Sequence, residues 1–324
     1  MNEKKLIFVY NPHAGKGAVR SSLSDILDIF VKNGYTVTVY PTQGRGDARE
    51  KTPQFVKEYS YLVCCGGDGT LDEVINGMLT GGDARIPIGY IPAGSTNDFA
   101  YSLRIPSKDM LKAAQIAMTG ESFSCDIGRF NDDYFVYVAA FGLFSDVSYS
   151  TSQKKKNTLG HLAYIFEGAK QLTDIPSFTM RVVADGKTFA GNYMYGMISN
   201  SLSVGGMTNL VGEDILLDDG LHEVTLIQMP TNPVMFGDLA ASFLMPKVMD
   251  PRYITRVKAK HIEIYSDETV PWTLDGEYGG SHKEVVIDNL GHQAVFTVAP
   301  EEGYEAEELE PYNLFEGETY EREP

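Results

Sequence analysis

Basic residues are scarce in this sequence of 324 residues. Lys and Arg number 27 against 44 Asp and Glu, which gives a formal net charge of −17. Nucleic-acid binding requires a basic face that neutralises phosphates, and the sequence has no long basic stripe. We therefore expect no nucleic acid among its partners. Ten acidic residues and one basic residue lie within 301–324, and this composition predicts a solvated acidic tail.

Cysteines and long apolar runs are also few. The three cysteines, Cys64, Cys65 and Cys125, form neither an even disulfide framework nor a C-x-x-C pair, so zinc and thioredoxin-like chemistry lack ligands. The first apolar run, residues 6–10, is too short for a signal peptide. No stretch of about 18 consecutive apolar residues occurs, so no membrane span is expected. These absences predict a cytoplasmic protein.

The hydrophobic pattern changes its period along the chain. In the first 120 residues, short apolar runs such as "YLVCC" (61–65) alternate with runs at helical spacing, which predicts a parallel sheet covered by helices on both faces. After about residue 125, turn signals such as Asp185-Gly186 predict a mostly antiparallel β region. Two helical patterns, at 158–173 and 232–249, interrupt these strands.

Four loops rich in small and polar residues follow predicted strands. They read "NPHAGKGA", "PTQGRGDA", "GGDG" and "PAGSTNDFA" and lie at 11–18, 41–48, 66–69 and 92–100. The carboxyl ends of parallel strands form a ligand crevice, and glycines before a helix suit phosphate binding. Neither the Rossmann nor the Walker pattern is present. The Gly-Gly-Asp-Gly loop by itself is equally compatible with a capped tight turn, but Asp68 suits a phosphate reached through Mg²⁺ or a hydroxyl.

The motifs taken together resemble one family. "NPHAGKG", "GGDGTLDEVINGM", "PIGYIPAGSTNDFA", "DDGLHEV" and "LDGEYGG", in this order, are similar to the diacylglycerol kinase catalytic-domain family, specifically the soluble bacterial lipid kinases. The resemblance implies an α/β fold of two domains. Residues 1–126 would form an α/β ATP-binding domain with a mostly parallel sheet, as in NAD kinases. Residues 127–298 would form an antiparallel β-sandwich-like domain, and the chain after about 298 would pack back on the first domain.

The resemblance also implies roles for individual residues. Glu277 would accept the proton of the acceptor hydroxyl, with Asp275 near the magnesium, although the residues alone favour a β-turn with two surface acids. Asp68 and Asp98 would organise Mg²⁺ and the loop backbones. The nucleotide contacts would be Asn11, Thr42, Gly66, Gly67, Asp68, Gly69, Thr70, Leu71, Asp72, Ser95, Asn97 and Asp98. A second site for Mg²⁺ or Ca²⁺ would use Asp219 and the carbonyls of Leu216 and Leu221, where a plain Asp-Gly turn is the alternative.

The function implied by the resemblance is that of an ATP-dependent lipid kinase. It would transfer the γ-phosphate to the hydroxyl of a lipid at the membrane surface, with diacylglycerol as the default acceptor and phosphatidic acid as the product. A sphingoid base, another glycerolipid, a polyprenol or a soluble acceptor such as NAD would also present a hydroxyl. A nucleotide-binding regulator without catalysis is the third hypothesis. The oligomeric state, including a homodimer, is left open by the sequence.

Overall fold

The chain folds around one large sheet whose two ends differ in architecture. The structure, a computed structural model, describes residues 4–82, 85–143, 175–205, 211, 214–244 and 253–300. The predicted helix at 158–173 and the acidic tail at 301–324 lie outside the described residues.

The amino-terminal part alternates strands and helices. Its strands are β1 (Lys4–Tyr10), β2 (Tyr35–Pro41), β3 (Tyr61–Gly66) and β4 (Ile88–Pro92). Its helices are α1 (Ala18–Lys32), α2 (Asp47–Glu58), α3 (Asp68–Thr80), α4 (Asp98–Ser102) and α5 (Met110–Thr119). β1 lies between β2 and β3, β3 pairs with β4, and all three pairings are parallel. β3 and β4 are buried along their whole length, as expected of strands covered on both faces.

The remainder of the described chain is mostly antiparallel. It comprises β5 (Glu121–Phe130), β6 (Asp133–Phe135), β7 (Val138–Gly142), β8 (Phe178–Ala184), β9 (Lys187–Ser199), β10 (His222–Gln228), α6 (Pro233–Leu244), β11 (Ile254–Ala259), β12 (His261–Leu274) and β13 (Glu277–Val298). β8 and β9 form the hairpin expected at Asp185-Gly186, where both residues have positive φ. Among the described residues, no helix is long and apolar enough to cross a membrane.

The last strand joins the two parts of the sheet. Near its start β13 pairs with β12, and near its end it pairs with β5 and, at Phe296 and Thr297, with β4 in parallel. β13 therefore spans both parts of the sheet, and the predicted packing of the chain after about 298 on the first part stays a prediction. Beside β13, the buried Trp272 of β12 packs edge-on against Phe130 and Phe141, with ring centroids 5.1 and 4.9 Å apart. This packing fixes the end of β12 just before the turn to β13.

Candidate active site

The loops that follow β1, β3 and β4 meet at the carboxyl edge of the parallel sheet. Asn11 N–H donates to the carbonyl of Cys65 at 2.9 Å, and Ala93 N–H donates to that of Gly66 at 2.8 Å. Gly67 and Gly94 touch backbone to backbone, because a Cβ on Gly94 would lie 2.7 Å from the Cα of Gly67. A side chain at either glycine would push the two loops apart. These glycines therefore allow the two loops to approach each other closely.

Asp68 opens α3 and links two of these loops. Its two carboxylate oxygens accept hydrogen bonds from the backbone N–H groups of Asp98 and Phe99, at 3.2 and 3.4 Å. Burial, followed by the repulsion of Asp98, raises the pKa of the Asp68 carboxyl to about 7. The aspartate is therefore held among other acids, an arrangement that a divalent cation would relieve.

The raised pKa of Asp68 predicts a pH-dependent stability. Between about pH 4 and pH 7 the folded protein binds more protons at this carboxyl than the unfolded chain, so the free energy of unfolding falls as pH rises through this window. In Asp68→Asn we expect the free energy of unfolding to depend less on pH in this window. Urea unfolding of nucleotide-free protein at a series of pH values measures it, with Asp25→Asn on the exposed face of α1 as the control. If the free energy of unfolding of Asp68→Asn falls with pH as steeply as that of the wild type, the pKa of Asp68 is not the cause of the fall.

Asp98 connects the loop after β4 to the antiparallel part of the protein. One carboxylate oxygen accepts from Ser203 Oγ–H at 2.7 Å and the other from Gly205 N–H at 2.9 Å. Ser102, one turn along α4, lies 2.8 Å from Ser201 through the two hydroxyl oxygens. Asp98 and Ser203 are almost completely buried. The segment at 201–205 is therefore fastened to α4, a link that the sequence reasoning did not include.

Removing the Ser203 hydroxyl should weaken this link. A hydrogen bond to a charged group contributes about 1.5–3 kcal/mol, so we expect Ser203→Ala to lower the free energy of unfolding by roughly that amount. The midpoint of urea unfolding measures the change, and Ser24→Ala on the exposed surface of α1 is the matched control. Equal midpoints for the two variants would show that the contact with Asp98 contributes nothing.

The β12–β13 turn places Asp275 and Glu277 in different environments. Asp275 has a φ of 49° and Gly276 a φ of 81°, the conformation of a two-residue hairpin turn. Asp275 is 3% exposed, and its carboxylate accepts the backbone N–H groups of Val136, Tyr137 and Val138 at 2.5–3.0 Å. It therefore anchors the turn on the segment between β6 and β7, and its predicted place beside magnesium stays a prediction.

Glu277, in contrast, points to the surface beside the loop that follows β3. Its side chain is 53% exposed, and a Cβ on Gly69 would lie 3.8 Å from its Oε1. Arg45, in the loop after β2, places Nη2 2.8 Å from Glu277 Oε2. An exposed pair of this kind contributes about 0–1 kcal/mol, so it orients Glu277 without locking it. Arg45 was missed by the sequence reasoning, since nothing in its local pattern indicates a partner in another loop.

The other predicted nucleotide contacts lie around the same edge. Thr42 is buried and its N–H donates to the carbonyl of Tyr10, whereas Ser95 is exposed. Asn97, with a φ of 54°, accepts from Gly94 N–H at 2.8 Å and thereby shapes its own loop. Asp72, on α3, accepts from Asn76 Nδ2–H at 2.7 Å. These predicted residues therefore lie near one another in the structure. Thr42 and Asn97 also hydrogen-bond to other groups of the protein itself.

The ammonium group of Lys258 lies against the predicted second metal motif. Asp219 Oδ1 accepts from Leu221 N–H, and Oδ2 lies 3.0 Å from Lys258 Nζ. The same ammonium group contacts Glu223 at 3.2 Å. A divalent cation would compete with Lys258 for Asp219, and the site stays a prediction. The sequence motifs did not single out Asp126, which lies beside this segment. It is completely buried, and its Oδ2 accepts from Gly220 N–H at 2.7 Å.

Comparisons with known proteins assign the two parts of the chain. The model of the diacylglycerol kinase catalytic domain matches residues 5–130, and that of the YegS C-terminal NAD kinase beta sandwich-like domain matches residues 138–299. A protein named diacylglycerol kinase from Bacillus subtilis (strain 168) is 32% identical over 95% of this chain and 99% of its own. The chain belongs to the diacylglycerol kinase family. The family resemblance expected from the sequence motifs is therefore confirmed.

Two further comparisons agree with this result, one in sequence and one in fold. A protein named diacylglycerol kinase from Staphylococcus carnosus (strain TM300) is 34% identical over 91% of this chain and 95% of its own. The crystal structure of a diacylglycerol kinase from Bacillus anthracis str. Sterne superimposes with a TM-score of 0.74 over 93% of this chain and 98% of its own, at 22% identity. The latter likeness supports the fold. In this family member the candidate site uses both matched regions, because the loops precede residue 130 and the Asp275-Gly276-Glu277 turn follows it.

Proposed function

We propose that this chain is an ATP-dependent lipid kinase that transfers the γ-phosphate of ATP to the hydroxyl of diacylglycerol, giving phosphatidic acid. The observation that carries the proposal is the position of Glu277, an exposed carboxylate beside the α3 end of the Gly-Gly-Asp-Gly loop in a member of this family. Phosphoryl transfer requires a carboxylate near the accepting hydroxyl and loops that hold the nucleotide phosphates in line with it. In this chain Glu277 lies near Gly69 of that loop, which supports the proposal.

The residues divide this work between them. The amino-terminal end of α3, a helix of 13 residues, favours phosphate charge, and the glycines before it leave the backbone accessible. Asp68 and Asp98 are suited to Mg²⁺, since magnesium shared with nucleotide phosphates requires only one or two protein carboxylates. Bound Mg²⁺-ATP would supply the activated phosphoryl group and neutralise its charge. Glu277 would accept the proton of the lipid hydroxyl.

The acceptor lies at a bilayer surface, so the kinase would work there peripherally. The described part of the chain contains no helix suited to crossing a membrane, which agrees with contact from one side. We expect the protein to sediment with vesicles that contain diacylglycerol more than with vesicles that lack it. The membrane contact is therefore testable independently of catalysis.

Label transfer to a panel of acceptors tests the activity. The protein is incubated with Mg²⁺ and γ-labelled ATP in mixed micelles that hold diacylglycerol, another glycerolipid, a sphingoid base or a polyprenol, and separately with soluble NAD. Label in diacylglycerol above all other acceptors is the expected result. Preferential labelling of another lipid would overturn the proposed substrate, and labelling of NAD alone would overturn the lipid kinase. No label on any acceptor from well-folded protein would favour the non-catalytic regulator.

A further inference from the structure

The loop between β2 and α2 carries a positive charge to the candidate site. Arg45 Nη2 lies 2.8 Å from Glu277 Oε2, and a Cβ on Gly69 would lie 3.8 Å from the other oxygen of the same carboxylate. Through this contact with Glu277, the guanidinium group lies near the first turn of α3. Arg45 follows a strand of the parallel part and Glu277 begins β13, so the ion pair also joins the two parts of the chain.

The backbone on both sides of Arg45 is held by carboxylates. Glu73, on α3, accepts from Gly46 N–H at 2.6 Å, and Asp47 accepts from Gln43 N–H at 2.8 Å. The side chain of Arg45, in contrast, is exposed, and it contacts the carboxylate through Nη2. A guanidinium group has several N–H donors in a planar fork, more than one carboxylate oxygen can accept. The base of this side chain is therefore fixed while its charged end can bind a second acceptor.

The charges of the site favour a phosphate as that second acceptor. Asp68, Asp98 and Glu277 are all acids, and their negative potential opposes the approach of a nucleoside triphosphate. A guanidinium group attracts phosphate and binds it through two parallel N–H bonds. The ion pair with Glu277 is weak because water screens both exposed side chains, so a phosphate can replace the carboxylate at small cost. Arg45 is therefore suited to offset the acids when a nucleotide binds.

We propose that Arg45 binds the terminal phosphate of the nucleoside triphosphate and thereby distinguishes the triphosphate from the diphosphate. This inference rests on the proposed function, in which Glu277 accepts the proton of the hydroxyl that attacks this phosphate. A cation in contact with Glu277 lies at the reacting end of the nucleotide rather than at its adenine end. The phosphate would take the place of Glu277 as the partner of Arg45, and this exchange would release Glu277 towards the hydroxyl.

Nucleotide binding without any lipid tests this contact. Isothermal titration calorimetry in the presence of Mg²⁺ compares ADP with the imido analogue of ATP, whose terminal phosphate is not transferred. We expect Arg45→Ala to weaken binding of the triphosphate by about 10-fold or more, the effect of losing a hydrogen bond to a charged group, and to leave the affinity for ADP nearly unchanged. Arg45→Lys keeps the charge and loses the planar fork, so it should bind the triphosphate with intermediate affinity.

A matched control lies in the same segment of the chain. Arg49, on α2, pairs with Asp133 of β6 at 2.9 Å, so Arg49→Ala also removes one arginine and one ion pair with the antiparallel part. It should bind both nucleotides as the wild type does. Equal weakening of ADP and the triphosphate in Arg45→Ala, no weakening of either, or the same loss in Arg49→Ala would overturn the inference. A wild type that binds neither nucleotide would reject the proposed kinase together with this contact.

Steady-state kinetics with diacylglycerol separate the nucleotide from the lipid. For Arg45→Ala we expect the KM for ATP to rise and the KM for diacylglycerol to remain that of the wild type, because the uncharged acceptor offers no partner to a guanidinium charge. Circular dichroism verifies that each variant is folded. A rise confined to the KM for diacylglycerol would place Arg45 against the acceptor and overturn the inference, although the lipid kinase itself would stand.

Discussion

Replacing Glu277 by glutamine is expected to lower kcat for lipid phosphorylation by roughly 100- to 10,000-fold, the range that a positioned general base contributes. Glutamine has nearly the same size and cannot accept the hydroxyl proton. The side chain is half-exposed and its ion partner, Arg45, is 76% exposed, so the fold should be unaffected. Initial rates of label transfer from ATP to diacylglycerol in mixed micelles measure the change, and the affinity for ATP is measured in parallel.

A matched control for this variant lies on the same strand. Glu284 is an exposed glutamate of β13, and Glu284→Gln removes the same charge from the protein without touching the site. We expect it to keep the activity of the wild type. If Glu277→Gln instead retained the full rate, another group would have to be the base, and the arrangement around Gly69 and Arg45 would require a different explanation.

Replacing Asp275 by alanine is expected to be the most destabilising single change in the site. Three backbone N–H groups would lose their acceptor in the interior, and each buried unsatisfied group costs about 1–3 kcal/mol. We therefore expect the free energy of unfolding to fall by at least about 3 kcal/mol. Urea unfolding followed by circular dichroism measures this loss. Kinase activity should fall too, since the turn presents Glu277.

The β8–β9 turn provides the control for the backbone conformation. Asp185 also precedes a glycine, with a φ of 44° against 49° for Asp275, so alanine meets the same left-handed strain at both positions. Asp185 accepts two backbone N–H bonds, both of 2.9 Å, but it is exposed and water can replace the carboxylate. Asp185→Ala should therefore cost much less. Equal losses in the two variants would assign the effect to the turn conformation rather than to the buried amides.

The sequence was sufficient to predict the fold class and the family because their signals are local. The apolar period separates strands from helices, and the motifs around Asp68, Asn97 and Asp275 are contiguous. The turn residues Asp185 and Gly186 also specify their hairpin by themselves, because both tolerate positive φ. The burial of Asp275 could not be predicted from the sequence, since Asp275, Gly276 and Glu277 are equally suited to a turn on the surface.

Local sequence patterns do not predict contacts between segments that are far apart in the chain. Asp98 and Ser203 are 105 residues apart, and nothing in the spacing of either one indicates the other. The same holds for Arg45 and Glu277, which come from different parts of the sheet. Such pairs depend on the register of strands that the sequence does not reveal at single-residue accuracy. For that reason the sequence predicts a set of acids for the site and leaves open which of them hold the protein together.

The continuity of β13 has a consequence for dividing this protein into pieces. Two separate family models match the chain, yet Phe296 and Thr297 from the far end of the second match complete the sheet at β4. A fragment that ended at residue 130 would leave the edge of β4 unpaired, and every residue of that strand is buried in the intact protein. Uncovered buried strands of this kind attract other chains. The first matched region is therefore a unit of sequence recognition whose sheet is completed by the last strand of the second.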